Sequence, residues 1–191
     1  MKNHLFIIMA VISLFSCSNG DKGPVHIRKN LVIGYYLNAE ANQETEEAVI
    51  KTFQNWEKVT NFKFIYKGRN RAGLRRDGKN TISFLTGWPK NIPPGKVGWC
   101  ENWFDFCGNI TESDIIFNMT ATRFTTLESN AKNSYYIEGV LSHEIGHMIG
   151  LGHINSKKSL MKETSSFGES FFKGKIDPET IQAYRKLYNI H

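Results

Sequence analysis

Along the first half of the chain the spacing of apolar residues changes twice. Residues 25–37 (VHIRKNLVIGYYL) hold a nearly unbroken apolar and aromatic run, which predicts a strand at about residues 30–37. From Ala41 to Val59 the positions Ala48, Val49, Thr52, Phe53, Trp56 and Val59 recur three or four apart, with Glu44, Glu46 and Glu47 in the opening turns. That period gathers them on one helix face, and the acids lie where the helix dipole favours negative charge. Phe53 and Trp56 are expected in the core. Asn61–Tyr66 (NFKFIY) and Asn80–Leu85 (NTISFL) then alternate as two further strands.

The stretch from Gly87 to Gly98 is rich in Gly and Pro and reads as loop, and Asp114–Asn118 (DIIFN) as a fourth strand. Tyr135 to Met148 predicts a second long helix. Asp177-Pro178-Glu179 opens a third, with an aspartate cap, proline at the first helical position, and Ile181, Tyr184, Leu187 and Tyr188 along one side. Strand, helix, three strands, helix, irregular segment, helix is an α+β order. With no internal repeat and no low-complexity linker, residues 30–191 form one domain.

Composition narrows the class. At 191 residues, 40% hydrophobic and 13% aromatic, the chain can bury a continuous core and is not disordered. A formal charge of +6 is mild and dispersed. The densest basic cluster, Arg69 to Arg76, is broken by glycine and carries no aromatic stacking signature, so it reads as a solvated loop, with no nucleic acid as partner.

The N-terminus reads as a processing segment. Lys2 precedes an uncharged run, Leu5–Phe15 (LFIIMAVISLF), too short to span a bilayer and suited to a signal peptide. The run ends in Leu14-Phe15-Ser16-Cys17, which resembles a bacterial lipobox. Residues 1–17 are thus a signal peptide, ending either in lipidation at Cys17 or in ordinary cleavage nearby, and residues 18–29 a short linker or propeptide. Both readings export the protein, as a bacterial membrane-anchored lipoprotein at the surface or in the periplasm, or as a secreted protein. A lipid at Cys17 would be its one attachment to a membrane. In an exported chain Cys100 and Cys107 are expected to form a disulfide closing a short loop.

The chemistry concentrates in residues 143–153, HEIGHMIGLGH, which hold three of the six histidines. His143 and His147 stand four apart, hence on one helix face with β-carbons about 5–6 Å apart. Two imidazoles so placed can share one zinc ion at about 2.0–2.1 Å per bond. Glu144 lies about 100° round the helix, beside that face, where it can reach a metal-activated water as a general base without displacing an imidazole. Gly150 is the natural helix stop, after which the chain turns and His153 approaches the ion from outside the helix. Three nitrogens leave the fourth tetrahedral position open, as a catalytic zinc site requires. A structural zinc in a non-proteolytic surface lipoprotein is the alternative, against which Glu144 argues, since a closed site wants a fourth ligand and no base.

His143-Glu144-Ile145-Gly146-His147-Met148-Ile149-Gly150-Leu151-Gly152-His153 is similar to the metzincin zinc-protease signature. Metzincins carry a tight turn whose methionine lies beneath the histidines; Ser159-Leu160-Met161 fits it, at the spacing of the matrixin branch. Asn30–Tyr66 and Asp177–Tyr188 resemble the opening and the last helix of a matrixin catalytic domain. The resemblance implies a zincin fold: a twisted mixed sheet of four to five strands, three main helices, and an active-site cleft between upper and lower subdomains. It implies a monomeric zinc endopeptidase with one catalytic Zn2+, acting on protein or peptide substrates that pair with the edge strand, here expected near Ile115–Asn118. Met161 would support the site without being a ligand.

Departures from the family qualify this. Glu163 stands where astacins and serralysins place a tyrosine. Residues 67–118 contain no histidine for the second, structural zinc of vertebrate-type matrixins. Calcium sites do not carry over, and the cysteine-containing propeptide motif is missing. Asp21 is then either a latency ligand that swings onto the zinc or a solvated linker residue. Phe167, Phe171 and Phe172 are either walls of the pocket for the residue after the scissile bond or core anchors. The natural substrate is open, between general digestion and one narrow target.

Overall fold

The computed structural model describes residues 26–120, 122–127, 134–163 and 174–191. In chain order the elements are β1 (Val32–Asn38), α1 (Gln43–Glu57), β2 (Lys63–Asn70), β3 (Asn80–Leu85), β4 (Gly98–Phe104), β5 (Ile110–Asn118), β6 (Phe124–Thr125), β7 (Tyr135–Tyr136), α2 (Ile137–Met148) and α3 (Pro178–Leu187). The expected α+β order is thereby observed, as a five-stranded mixed sheet with three helices. Among the described residues no helix is long and apolar enough to cross a membrane.

The main sheet runs β2-β1-β3-β5-β4, parallel except for β4, which is antiparallel to β5. Parallel pairing of β1 with β2 demands a crossover, and α1 supplies it. The alternation in β1 sends Ile33, Tyr35 and Leu37 inward while Val32 stays half exposed. Phe53 of α1 meets that face and stacks on Tyr35 with ring centroids 3.9 Å apart. Trp56 is fully buried and its indole N–H donates to the Ser142 carbonyl at 3.1 Å, so the crossover helix is pinned to α2 as well as to the sheet. Capping fixes the helix starts: Asn42 Oδ1 accepts from the Thr45 amide at 2.8 Å, and Asp177 Oδ1 from the Thr180 amide at 3.0 Å.

Several expectations change. The fourth strand begins at Ile110, four residues before the expected start, and is an inner strand between β3 and β4. The sheet edge that a peptide could join is therefore β4, residues 98–104, rather than Ile115–Asn118. β4 went unread because an edge strand has no clean alternation: Gly98 to Trp103 are all half-buried.

The same strand explains why no bond joins Cys100 to Cys107. Cys100 lies within β4, opposite Ile115, and Cys107 in the turn beyond Phe104, where Gly108 donates back to the Asp105 carbonyl. From Cys100 to Phe104 the extended chain spans about 13 Å, whereas a disulfide needs α-carbons within about 7 Å. The seven-residue spacing measures a strand and its turn, where a closed loop was expected. Burial above all pushes the Cys100 thiol well above the ordinary range.

The domain also starts earlier than residue 30. Arg28, assigned above to the linker, is buried, with Nε donating to the Met148 carbonyl at 3.2 Å and Nη2 to Asn80 Oδ1 at 3.1 Å and Ser113 Oγ at 2.5 Å. Its backbone N–H reaches the Tyr188 hydroxyl at 3.0 Å, which in turn donates to the Ile149 carbonyl at 2.8 Å. The N-terminal segment thus packs under the C-terminal end of α2. Gly150 makes room for it: its φ is +93°, and a β-carbon there would run into the His26 carbonyl oxygen. Gly150→Ala combines left-handed strain with that clash, so a loss of at least about 1–2 kcal/mol is expected in denaturant unfolding. An unchanged unfolding midpoint would show that the segment does not pack against the glycine.

Candidate functional site

Helix α2 carries His143, Glu144 and His147, and its end decides where the third histidine goes. After Met148 the chain closes with two reversed hydrogen bonds, Gly150 N–H to the His147 carbonyl and Leu151 N–H to the Gly146 carbonyl, both 2.9 Å. This is a Schellman motif with glycine in the left-handed position. The turn brings His153 back to the face it left. The ligand-capable atoms of His143, His147 and His153 all lie within 4.8 Å of one another, and they form the one such group among the described residues.

Backbone carbonyls fix the orientation of two rings. His143 Nδ1 is 2.7 Å from the Leu160 carbonyl and His147 Nδ1 is 2.8 Å from the Leu151 carbonyl. A carbonyl oxygen only accepts, so both Nδ1 atoms carry the proton and both Nε2 atoms present lone pairs. Those two Nε2 atoms face each other at 3.1 Å. Facing lone pairs repel unless a cation lies between them. Two nitrogens bound tetrahedrally at about 2.0–2.1 Å would stand about 3.3 Å apart, close to the separation seen. The donor set fits zinc: three imidazoles and no fourth protein ligand in the group.

Burial falls steeply across the three: His143 is buried, His147 half-buried and His153 exposed. Desolvation holds His143 down at about 3, helped by the proximity of His147, and His147 at about 4. Burial also lowers His153, against the pull of nearby Glu163.

The Leu160 carbonyl that orients His143 belongs to the turn Ser159-Leu160-Met161. That turn is anchored from outside, because Asp177 Oδ2 accepts from the Leu160 amide at 2.6 Å while Oδ1 caps α3. Met161 is fully buried against α2, and Gly146 is what admits it: a β-carbon there would run into the Met161 sulfur. Met161 thus supports the site from beneath.

Glu144 is buried against the start of β4. A β-carbon on Gly98 would come within 2.8 Å of Glu144 Oε1, so glycine is what allows the strand so close. Burial pushes the carboxyl up to about 8, opposed by Lys96 and by a hydrogen bond from the Cys100 amide. Beside α2 the other edge of the site is β4, where Asn102 Nδ2 donates to the His147 carbonyl at 3.0 Å. A cavity of about 670 Å³ lies between them, with Gly98, Trp99, Cys100 and Lys96 on the strand side and the histidines, Glu144 and Glu163 opposite.

The structure brings together His143, His147, His153, Glu144 and Met161, as expected. Cys17, Asp21, Phe167, Phe171 and Phe172 lie outside the described residues. Sequence reasoning missed Asp177's second role, Asn102, Gly98 and Lys96. Asp177 did signal a cap; the others sit in loop or edge-strand segments with no local pattern.

The family model described as Matrixin matches residues 28–189, nearly the whole described chain. A search of curated protein sequences finds no match to the chain.

The burial gradient sets an expected pH response for zinc. Three ordinary imidazoles titrating near 6.5 would each cost about tenfold in affinity at pH 5.5, about a thousandfold together. With His143 and His147 held neutral by burial, only His153 competes with protons. The expected loss from pH 7.5 to pH 5.5 is about tenfold or less, measured by chelator competition. A thousandfold loss would mean that the buried rings titrate as in water.

Proposed function

This chain belongs to the matrixin family of zinc-dependent metalloendopeptidases, and from that premise we propose that His143, His147 and His153 hold one catalytic zinc while Glu144 is the general base. The observation that carries the assignment is the 3.1 Å approach of two unprotonated Nε2 atoms beside a buried carboxylate. When bound, the ion supplies a Lewis acid and brings the acidity of a water towards the neutral range.

The remaining steps fall to the chain's own groups. A substrate peptide lies along the free edge of β4, where main-chain N–H and C=O groups can extend the sheet. The absence of a side chain on Gly98 keeps the approach to Glu144 open. As water attacks the scissile carbonyl carbon, the Glu144 carboxylate takes its proton. It then gives that proton to the departing amine nitrogen as the C–N bond breaks. Burial, which pushes this carboxyl to about 8, suits a group that must hold a proton between the two steps, and Lys96 keeps the ionised form accessible.

The leader sequence supports an exported protein, lipidated at Cys17 or cleaved nearby, with Asp21 in the short linker as the candidate latency ligand. Neither is needed for the hydrolytic steps.

Glu144→Gln preserves shape and hydrogen bonding but cannot take a proton. It is expected to retain one zinc per chain, by elemental analysis, and to lose about 10²–10⁴ in kcat on a peptide library read by mass spectrometry. Wild-type turnover in that variant would remove Glu144 from the mechanism. Unchanged cleavage after chelation would remove the metal.

A further inference from the structure

A second cavity, of about 520 Å³, lies near the start of β1, apart from the histidines and Glu144. Its size falls within the range of small-molecule sites. Its charged lining consists of Arg28, Lys29, Lys67 and Lys79 against one carboxylate, Asp105. Asp105 is already engaged: its oxygens accept from the amides of Cys107 and Asn109 and from the Asn109 side chain at 2.8–3.1 Å.

The floor holds the telling group. Arg28 is only 3% exposed, yet no carboxylate forms an ion pair with it among the described residues. Its side-chain hydrogen bonds go to neutral acceptors, Met148 O, Asn80 Oδ1 and Ser113 Oγ, and all come from Nε and Nη2. Nη1 donates to no described partner. The nearest acid of β5, Glu112, is committed to the amides of Asp77 and Gly78 at 2.7 and 2.8 Å. A buried guanidinium without a counter-ion is costly, and burial drags its pKa down to about 10. Lys29, Lys67 and Lys79 are exposed at the rim, and none of them forms an ion pair among the described residues. Lys67 lies across Gly34, where its aliphatic stem fills the space a β-carbon would take, and Lys79 sits over the Tyr36 ring at 5.8 Å.

We propose that this cavity binds a phosphate group, with the Arg28 guanidinium at its base and the three lysines closing round it. A tetrahedral oxyanion supplies the missing counter-charge and matches the donor fork of arginine. Because Arg28 also holds the Met148 carbonyl, the bound anion stabilises the contact between the N-terminal segment and the end of α2. The phosphate comes either from a free small molecule or from a lipid headgroup, to which the half-exposed Val32 and Leu31 beside the cavity would be suited.

The test uses the whole exported chain and inorganic phosphate at fixed ionic strength, with chloride as reference. Thermal unfolding is expected to shift up by about 2–5 °C at 10 mM phosphate, and the double variant K67E/K79E to lose the shift when its unfolding in phosphate is compared with its own unfolding in chloride. Both lysines are exposed, so the variant still folds cooperatively in chloride, with a lower unfolding temperature where the contacts to Gly34 and Tyr36 are lost. Equal shifts in phosphate and chloride, or an undiminished shift in the double variant, would overturn the site. Sedimentation with vesicles of phosphatidylcholine, with and without 20% phosphatidylglycerol, separates the sources. Binding to the anionic vesicles that phosphate displaces, and K67E/K79E abolishes, identifies a headgroup; a phosphate shift without it identifies a free anion. Because neither readout involves peptide cleavage, its outcome is independent of the proteolytic reading.

Discussion

Two carbonyl oxygens, those of Leu151 and Leu160, set the chemistry of this protein. Each holds the Nδ1 proton of one imidazole and so turns the opposite nitrogen, bare, into the cleft. Neither carbonyl belongs to α2. One follows the glycine stop of that helix and the other lies in the methionine turn, so the site is a property of three segments docked together. The glycines make the docking possible at short range: Gly146 admits Met161, Gly150 admits the N-terminal segment, and Gly98 admits β4 to Glu144. A β-carbon at Gly150 would meet the His26 backbone, and one at Gly146 or Gly98 would displace the side chain of Met161 or Glu144 itself.

Burial is graded across the site in a way that suits its use. His143 sits in the core and is held neutral; His153, last in the chain, reaches solvent. On the proposed assignment the inner rings need no deprotonation before a metal enters, and the outer one can complete the site from the solvent side. Glu144 runs the other way, since burial raises its proton affinity. One dry wall thus lowers the proton affinity of the histidines and raises that of the carboxyl, a single desolvation effect of opposite sign on the two kinds of group that suits the ligand and base roles proposed for them.

The parts of this arrangement that were legible in the sequence are those encoded locally. Histidines four apart on a helix, a glutamate between them, a glycine stop and a methionine eight residues beyond His153 each have a short-range signature, and their geometry follows from helix pitch and glycine conformation. The helices α1 and α3 were equally plain, because Asn42 and Asp177 cap them and the apolar faces are periodic. What was lost is what depends on distant partners. β4 is half-buried along almost its whole length and so shows no period, and with it went the true sheet edge and the geometry that keeps Cys100 from Cys107. Arg28 looked like linker because its partners, Asn80, Ser113, Met148 and Tyr188, lie 52 to 160 residues away.

Arg28 also bears on how the site is kept in register. The C-terminal end of a helix presents carbonyls that need donors, and here Arg28 serves Met148, Tyr188 serves Ile149, and Asn102 serves His147. These three donors come from the N-terminal segment, the residue just after α3, and the edge strand, the regions furthest from one another in the chain. They are further tied together, since Ser113 accepts from Arg28 and donates to Asn102 Oδ1. A shift of any one of these segments would strand a buried carbonyl at the end of the helix that bears His143 and His147, at a cost of about 1–3 kcal/mol. The rigidity of the metal-facing rings therefore rests on the far side of α2 as much as on the near side. A positive charge at that helix end is favoured by the helix dipole, which offsets part of the desolvation cost of placing a guanidinium there without a carboxylate.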